Sequence, residues 1–284
     1  MTTAAASGTF AIASELEVNR LGFGAMRLTG HGIWGPPGDP AAAHAVLRRA
    51  VELGVNHIDT ADTYGPHVSE EIIAEALRPY PPDLVIATKG GLERTGPGGD
   101  WPKNGRPEHL KRACEGSLRR LGVERIDVYY LHRPDPQVPY EESIGALKEL
   151  RDEGKIRHVA VSNVNMRLLS VARDIVEIAA VQNQYSVSDR RSQDVLEECE
   201  RAGIGFVPWA PLDVGALDPA GPVASIARRH GATPMQVAIA WLLHASPVVL
   251  PIPGTASLAH LEENVAAAEL ELGDDELRAL DALG

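Results

Sequence analysis

Eight short apolar runs, each followed by a helix-like stretch, constrain the fold of this chain more than any other feature. They lie at 21–24, 55–58, 84–88, 126–131, 156–161, 178–181, 204–208 and 248–250. Runs this short, with little alternation, suit parallel strands covered by helices on their outer face. Helix signals punctuate them. Asp39-Pro40 and Thr233-Pro234-Met235-Gln236 read as helix starts, Gly154 and Gly203 as helix ends, and Ser69 before Glu70-Glu71 as a further N-cap. No long Pro/Ser linker divides the units. The expectation is an α/β chain forming a single (β/α)8 TIM barrel over residues 1–284. An N-terminal β-hairpin (Phe10-Ala11-Ile12 with Leu16-Glu17-Val18) precedes it, and extra C-terminal helices, 257–268 and 274–283, follow. The rival is a doubly wound Rossmann sheet. Its fingerprint is missing, because Gly22-Phe23-Gly24 is not continued as GxGxxG into a helix.

The balance of 27 basic against 39 acidic residues, a net charge of −12, argues against nucleic acid or an anionic membrane as partner. Cys114 and Cys199 are too few for a disulfide framework, and no Cys/His spacing suggests structural zinc. Residues 1–8 lack an apolar signal core, and nowhere do 18 apolar residues run together. A cytoplasmic protein is expected, monomeric or weakly homo-oligomeric, acting on a small molecule.

What ends each strand points to chemistry. Asp59, Lys89, His132, Ser162-Asn163, Gln182 and Trp209 all fall at C-terminal strand ends, which in a barrel share one mouth. Tyr64 follows Asp59 in the loop that leads to the next helix. Singly, these residues read as caps, turn formers or core; together they form a proton-handling set. A tyrosine has a pKa of ~10 in water, and a neighbouring ammonium should lower it. Asp59 can serve as counter-ion to Lys89, and a histidine can orient a carbonyl by donating a hydrogen bond. Such a set can protonate an alkoxide as it forms, but it needs an external hydride donor.

Four stretches, Gly54 to Gly65, the strand ending at Lys89, Ile126 to His132, and Ile252-Pro253-Gly254-Thr255, resemble the aldo-keto reductase family in the same order. The resemblance runs from about Leu21 to Val265. It implies the barrel inferred above and NAD(P)H-dependent carbonyl reduction without metal or flavin. It makes Tyr64 the general acid, tuned by Lys89 and Asp59, with His132 orienting the substrate carbonyl. Ser162, Asn163 and Gln182 would hold the nicotinamide carboxamide, and Trp209 would stack on its ring. Gly24, Ala25 and Met26 would line the same pocket, with Pro211, Leu212 and Ile252 beside the cofactor.

Two departures stand out. Gly254 and His260 occupy the places of a lysine and an arginine that many members use to grip the 2′-phosphate of NADP. Thr255, Ser257 and His260 can still hydrogen-bond a phosphate at a helix N-terminus, with Glu263 and Asn264 nearby. NADPH is therefore the expected cofactor, with NADH accommodated. The chain also ends just after its last helix, without the long C-terminal loop of some branches. Substrate choice should fall to the loop from Gly91 to Gly105, with Trp101, and to the loop after Trp209. Aldehydes and ketones are the expected substrates, and the resemblance adds pyridoxal as a candidate. The alternatives are a nucleotide-binding redox-sensing subunit with slow turnover, and a phosphate-binding barrel enzyme that leaves the Asp-Tyr-Lys-His set unexplained.

Overall fold

The computed structural model describes residues 2–209 and 221–284. Strands β1 (Thr9–Ile12) and β2 (Leu16–Asn19) form the antiparallel hairpin. Seven strands then pair in parallel in chain order. They are β3 (Phe23–Gly24), β4 (His57–Asp59), β5 (Val85–Gly90), β6 (Ile126–Leu131), β7 (Ile156–Ser162), β8 (Ile178–Gln184) and β9 (Gly205–Trp209). The eighth run contributes a bridge rather than a full strand. Val249 pairs with Phe206 of β9, and the Gly22 N–H donates to the Pro251 carbonyl at 2.9 Å. That segment joins β9 to the chain entering β3 and closes the barrel.

Helices α1 (Pro40–Glu52), α2 (Val68–Leu77), α3 (Pro107–Leu121), α4 (Tyr140–Asp152), α5 (Met166–Ile175) and α6 (Gln193–Ala202) follow successive strands. After β9 come α7 (Pro222–His230) and α8 (Pro234–Ala245); α9 (Leu258–Ala266) and α10 (Asp274–Asp281) end the chain. Asp39 caps α1 by accepting from the Ala42 N–H, and the Thr233–Gln236 capping box opens α8, both as the sequence predicts. Ser69 does not cap α2. The helix begins one residue earlier, after His67 in a left-handed conformation, and the Ser69 hydroxyl turns inward to Thr60 (2.8 Å) and the Ala25 carbonyl (3.3 Å).

The alternation of a strand divides the core in two. Ile58, Ile86, Tyr129, Leu131, Val159, Val161, Val181 and Phe206 face outward against the helices. Val85, Ala87, Val128, Tyr130, Ala160, Ala180, Val207 and Leu250 fill the barrel interior with Ile12, Leu16 and Val18 of the hairpin, which plugs the strand-start end. The same parity carries upward. Asp59, Lys89, His132, Ser162, Gln182 and Trp209 continue the interior rows beyond that apolar layer, so all six side chains face the open mouth.

A second buried charge pair lies outside the barrel wall. Glu70 of α2 has no exposed side-chain surface and meets Arg120 of α3 at 2.6 Å, while the Thr88 hydroxyl donates to its other oxygen at 2.6 Å. Removing one partner of such a pair strands a buried charge. Arg120→Met should therefore lower unfolding free energy by ~3–5 kcal/mol. Arg278→Met, which breaks the exposed pair with Asp275, should cost less than ~1 kcal/mol. Urea unfolding of both variants checks this, and equal losses would show that Glu70 does not depend on Arg120.

Candidate active site

Tyr64 is held over the barrel mouth by a tight loop strapped to the end of β5. The Thr60 and Asp62 N–H groups donate to the carbonyls of Ala87 (2.8 Å) and Lys89 (3.2 Å). Gly65, at φ +111°, turns the chain where an added Cβ would come within 2.4 Å of Val68. Beneath the ring lies Lys89, fully buried. Its ammonium donates to Asp59 Oδ1 at 2.5 Å and to the Thr60 carbonyl at 2.8 Å, and stands 5.3 Å from the Tyr64 ring centroid. His132 meets the same ring edge-on, with centroids 6.0 Å apart. The structure thus brings the four residues of the proton-handling set together.

Burial dominates their electrostatics. It pushes the Tyr64 phenol above the usual tyrosine range, with Lys89 opposing and Asp59 reinforcing the rise. The lowered pKa expected from the ammonium alone is not what this pocket produces; Tyr64 keeps its proton at neutral pH. Desolvation weighs against the Lys89 ammonium, but Asp59 and Tyr64 outweigh it and raise its pKa. Burial, then Lys89 and Arg133, hold His132 well below its ordinary value, so its imidazole is neutral. The pocket therefore holds one ion pair, one phenol and one neutral imidazole.

The remaining strand-end residues interlock. Gln182 donates its amide to Asp59 Oδ2 at 2.9 Å. Asn163, in a left-handed conformation that asparagine tolerates, donates to Ser162 Oγ (2.8 Å) and the His132 carbonyl (3.2 Å). Its Oδ1 accepts the Trp209 indole N–H at 3.1 Å. Ser162 Oγ keeps its own proton to donate, and Gln182 keeps its Oε1 to accept. That donor and acceptor match the oxygen and nitrogen of a primary amide, so the set fits a nicotinamide carboxamide.

Above them opens a cleft of about 740 Å³, lined by the four strand-end residues just described and by Asp59, Tyr64 and His132. Gly24, Met26, Ile252 and Gly254 also line it. Ala25 does not; it is packed into the core with its carbonyl turned to Ser69. Thr255 and Asn264 are buried, Ser257 is half-buried, and His260 and Glu263 are exposed around the start of α9. Thr255 Oγ1 accepts from the Ser257 N–H, and Ser257 Oγ from the His260 N–H, yet both hydroxyls retain a proton to donate. Pro211 and Leu212 lie outside the described residues. A Cβ added at Gly254 would sit 2.6 Å from the Gly24 carbonyl oxygen, so the position excludes any side chain while β3 stays in place.

Leu92 and Lys103 come from the loop expected to set substrate choice, whereas Arg27, Arg133 and Met235 escape sequence reasoning. Arg133 had a signal, as the neighbour of His132; Met235, in the first turn of α8, had none. The support behind Trp101 is also new. Arg94 lies 3.9 Å from the Trp101 ring centroid and 5.6 Å from that of Trp34. It donates to the carbonyls of Gly32 and Ile33 (2.9 Å each) and Gly96 (3.3 Å). Trp101 in turn meets Tyr64 edge-on, with centroids 6.4 Å apart. Among the described residues no His, Cys, Asp and Glu cluster is suited to a metal ion, and no helix is long and apolar enough to cross a membrane.

Comparison with known proteins now decides the family. The model of the aldo/keto reductase family matches residues 20–284. The chain belongs to that family. A pyridoxine 4-dehydrogenase of Escherichia coli is 45% identical over 98% of this chain and 98% of its own. A thermostable aldo-keto reductase in complex with the inhibitor epalrestat superposes with a TM-score of 0.85 at 33% identity, covering 96% of this chain and 98% of that one. An aldo-keto reductase of Klebsiella pneumoniae in complex with NADPH superposes with a TM-score of 0.82 at 27% identity, covering 100% and 95%.

One titratable group in the barrel floor is open to measurement. His57, fully buried two residues before Asp59, has its pKa lowered to about 4, by desolvation first and by Lys89, against a pull from Asp59. The unfolded chain takes up a proton there near pH ~6.5, whereas the native state refuses it until about 4. Stability should therefore fall as pH drops through that window, by on the order of 3 kcal/mol from this group. His57→Gln should flatten the curve between pH 6.5 and 4 relative to the parent. Urea unfolding across that range reads the difference, and parallel curves would discard it.

Proposed function

We propose that this protein reduces aldehydes and ketones to alcohols with NADPH, Tyr64 supplying the proton. The observation that carries this reading is a buried phenol, kept protonated, beside a buried Lys89–Asp59 ion pair and a neutral imidazole. When bound, the nicotinamide supplies the hydride. Ser162 and Gln182 would hold its carboxamide, Asn163 would fix Ser162 and Trp209, and Trp209 would flank its ring. His132 donates to the carbonyl oxygen and points the carbonyl at Tyr64. As negative charge develops on that oxygen, Tyr64 transfers its proton there, and the Lys89 ammonium offsets the phenolate left behind. Solvent then returns a proton to Tyr64. In the reverse direction, the phenolate beside Lys89 takes the alcohol proton.

The 45% identity to a pyridoxine 4-dehydrogenase supports pyridoxine and pyridoxal as members of the substrate range. The Klebsiella complex supports NADPH as the nucleotide. We assign its 2′-phosphate to Thr255, Ser257 and His260; the lack of room for a side chain at Gly254 supports this by leaving the contact to them.

Tyr64→Phe keeps the packing of the ring and removes only the donated proton. Aldehyde reduction should fall by ~10²–10⁴-fold while nucleotide affinity holds, as measured with 4-nitrobenzaldehyde and by fluorescence titration. Activity within a factor of about two of the parent, well under 1 kcal/mol of barrier, would remove Tyr64 from the role. His260→Arg should tighten NADPH by about three- to tenfold, one exposed charge-assisted contact, and leave NADH unchanged. Equal effects on both nucleotides would place the 2′-phosphate elsewhere.

A further inference from the structure

Three cations line the cleft that the proton transfer at Tyr64 does not use. Arg27, Lys103 and Arg133 all line it, and Asp59 is the one carboxylate among its described lining residues. Asp59 is already committed to Lys89 and Gln182. None of the three cations has an ion-pair or hydrogen-bond partner among the described residues. Such a concentration of unpaired basic groups, on a chain of net charge −12, focuses an anion-attracting field on one opening.

Their placement is informative. Arg133 follows His132 directly, and its guanidinium stands 5.7 Å from the Trp209 ring centroid. Lys103 sits on the loop that carries Trp101, bridged there to Leu92, and Arg27 lies in the turn after β3. The same cleft has apolar wall residues, Leu92, Trp101, Trp209 and Met235. A molecule filling this cleft meets both the proton donor and a guanidinium. A planar guanidinium matches a carboxylate or a phosphate with two parallel hydrogen bonds.

We propose that the substrate is a carbonyl compound bearing an anionic group, carboxylate or phosphate, held by Arg133 with Lys103 and Arg27 at the rim. The proposal rests on the reductase reading above. It narrows that reading from aldehydes in general to anionic ones, with an apolar or aromatic body suited to the apolar wall residues.

Two matched pairs test it: 4-formylbenzoate against its methyl ester, and pyridoxal 5′-phosphate against pyridoxal. The parent enzyme should favour the anionic member of at least one pair by about tenfold in kcat/KM, the size of one hydrogen bond to a charged group. Which pair shows the preference distinguishes carboxylate from phosphate. The preference should shrink as ionic strength rises, because exposed charges are screened. Arg133→Gln should reduce the anionic-to-neutral ratio about tenfold, mainly through KM, and Arg133→Lys should retain part of it. Any effect shared by both members divides out of that ratio. The inference is overturned if both ratios in the parent lie near one. It is also overturned if Arg133→Gln slows both members equally, or if it weakens NADPH binding instead, which would assign Arg133 to the nucleotide. Failure of the neutral aldehydes as well would remove the reductase reading and this inference with it.

Discussion

An ammonium with no exposed surface sits inside the mouth of this barrel, and the surrounding architecture keeps it charged. Removing Lys89 from water is costly, so its ammonium is met at close range by Asp59 Oδ1 and the Thr60 carbonyl, with the Tyr64 ring above. Asp59 needs support in turn and takes it from Gln182, on the far side of the barrel. The same dry environment acts on the neighbours in the opposite sense. Burial keeps Tyr64 protonated and His132 neutral, so the pocket offers a proton and a hydrogen bond without a second net charge. Dryness and proximity are both required. Exposed to water, Lys89 would lose most of its influence on the phenol.

The loop bearing Tyr64 spans two buried ion pairs. On the barrel side its backbone is strapped to the end of β5 around Lys89. On the helix side it runs into α2, where Glu70 is locked to Arg120 and Thr88. Asp62 lies between them, buried, its carboxyl pushed well above the usual range by desolvation and by Glu70. Ser69, turned inward to Thr60, joins the two halves. Electrostatic commitments at both ends thus fix the ring in place before any ligand arrives, a preorganisation that catalysis by proton transfer requires.

Most of the fold was legible because a β-strand repeats every two residues. That period places Asp59, Lys89, His132, Ser162, Gln182 and Trp209 on the interior row above an apolar layer, and strand ends are easily read from sequence. Where reading failed, a tertiary contact outweighed a local preference. Ser69 has the residue type and spacing of a cap, but a neighbouring hydroxyl draws it inward. Ala25 sits between two cleft residues yet faces the core. The eighth run is a bridge rather than a strand because its partners are a short segment of β9 and the chain before β3. The direction of the Tyr64 shift depends on how much water the fold removes, which no spacing of residues records. Arg133 and Met235 reach the cleft, and Arg94 reaches the Trp101 ring that lines it, through loop and helix geometry that carries no periodic signal.

Arg94 has a consequence for how the entrance can be altered. Its guanidinium lies against Trp34 and Trp101 and grips carbonyls from both 29–38 and 91–105. Each loop has backbone hydrogen bonds of its own, and Arg94 ties the two together. A segment exchange that imports one loop from a relative would break the sandwich and leave a cation without its carbonyls. Transplanting specificity therefore requires moving both loops as one cassette. In natural variation, substitutions at positions 34, 94 and 101 should travel together, so that the three positions are inherited as a unit.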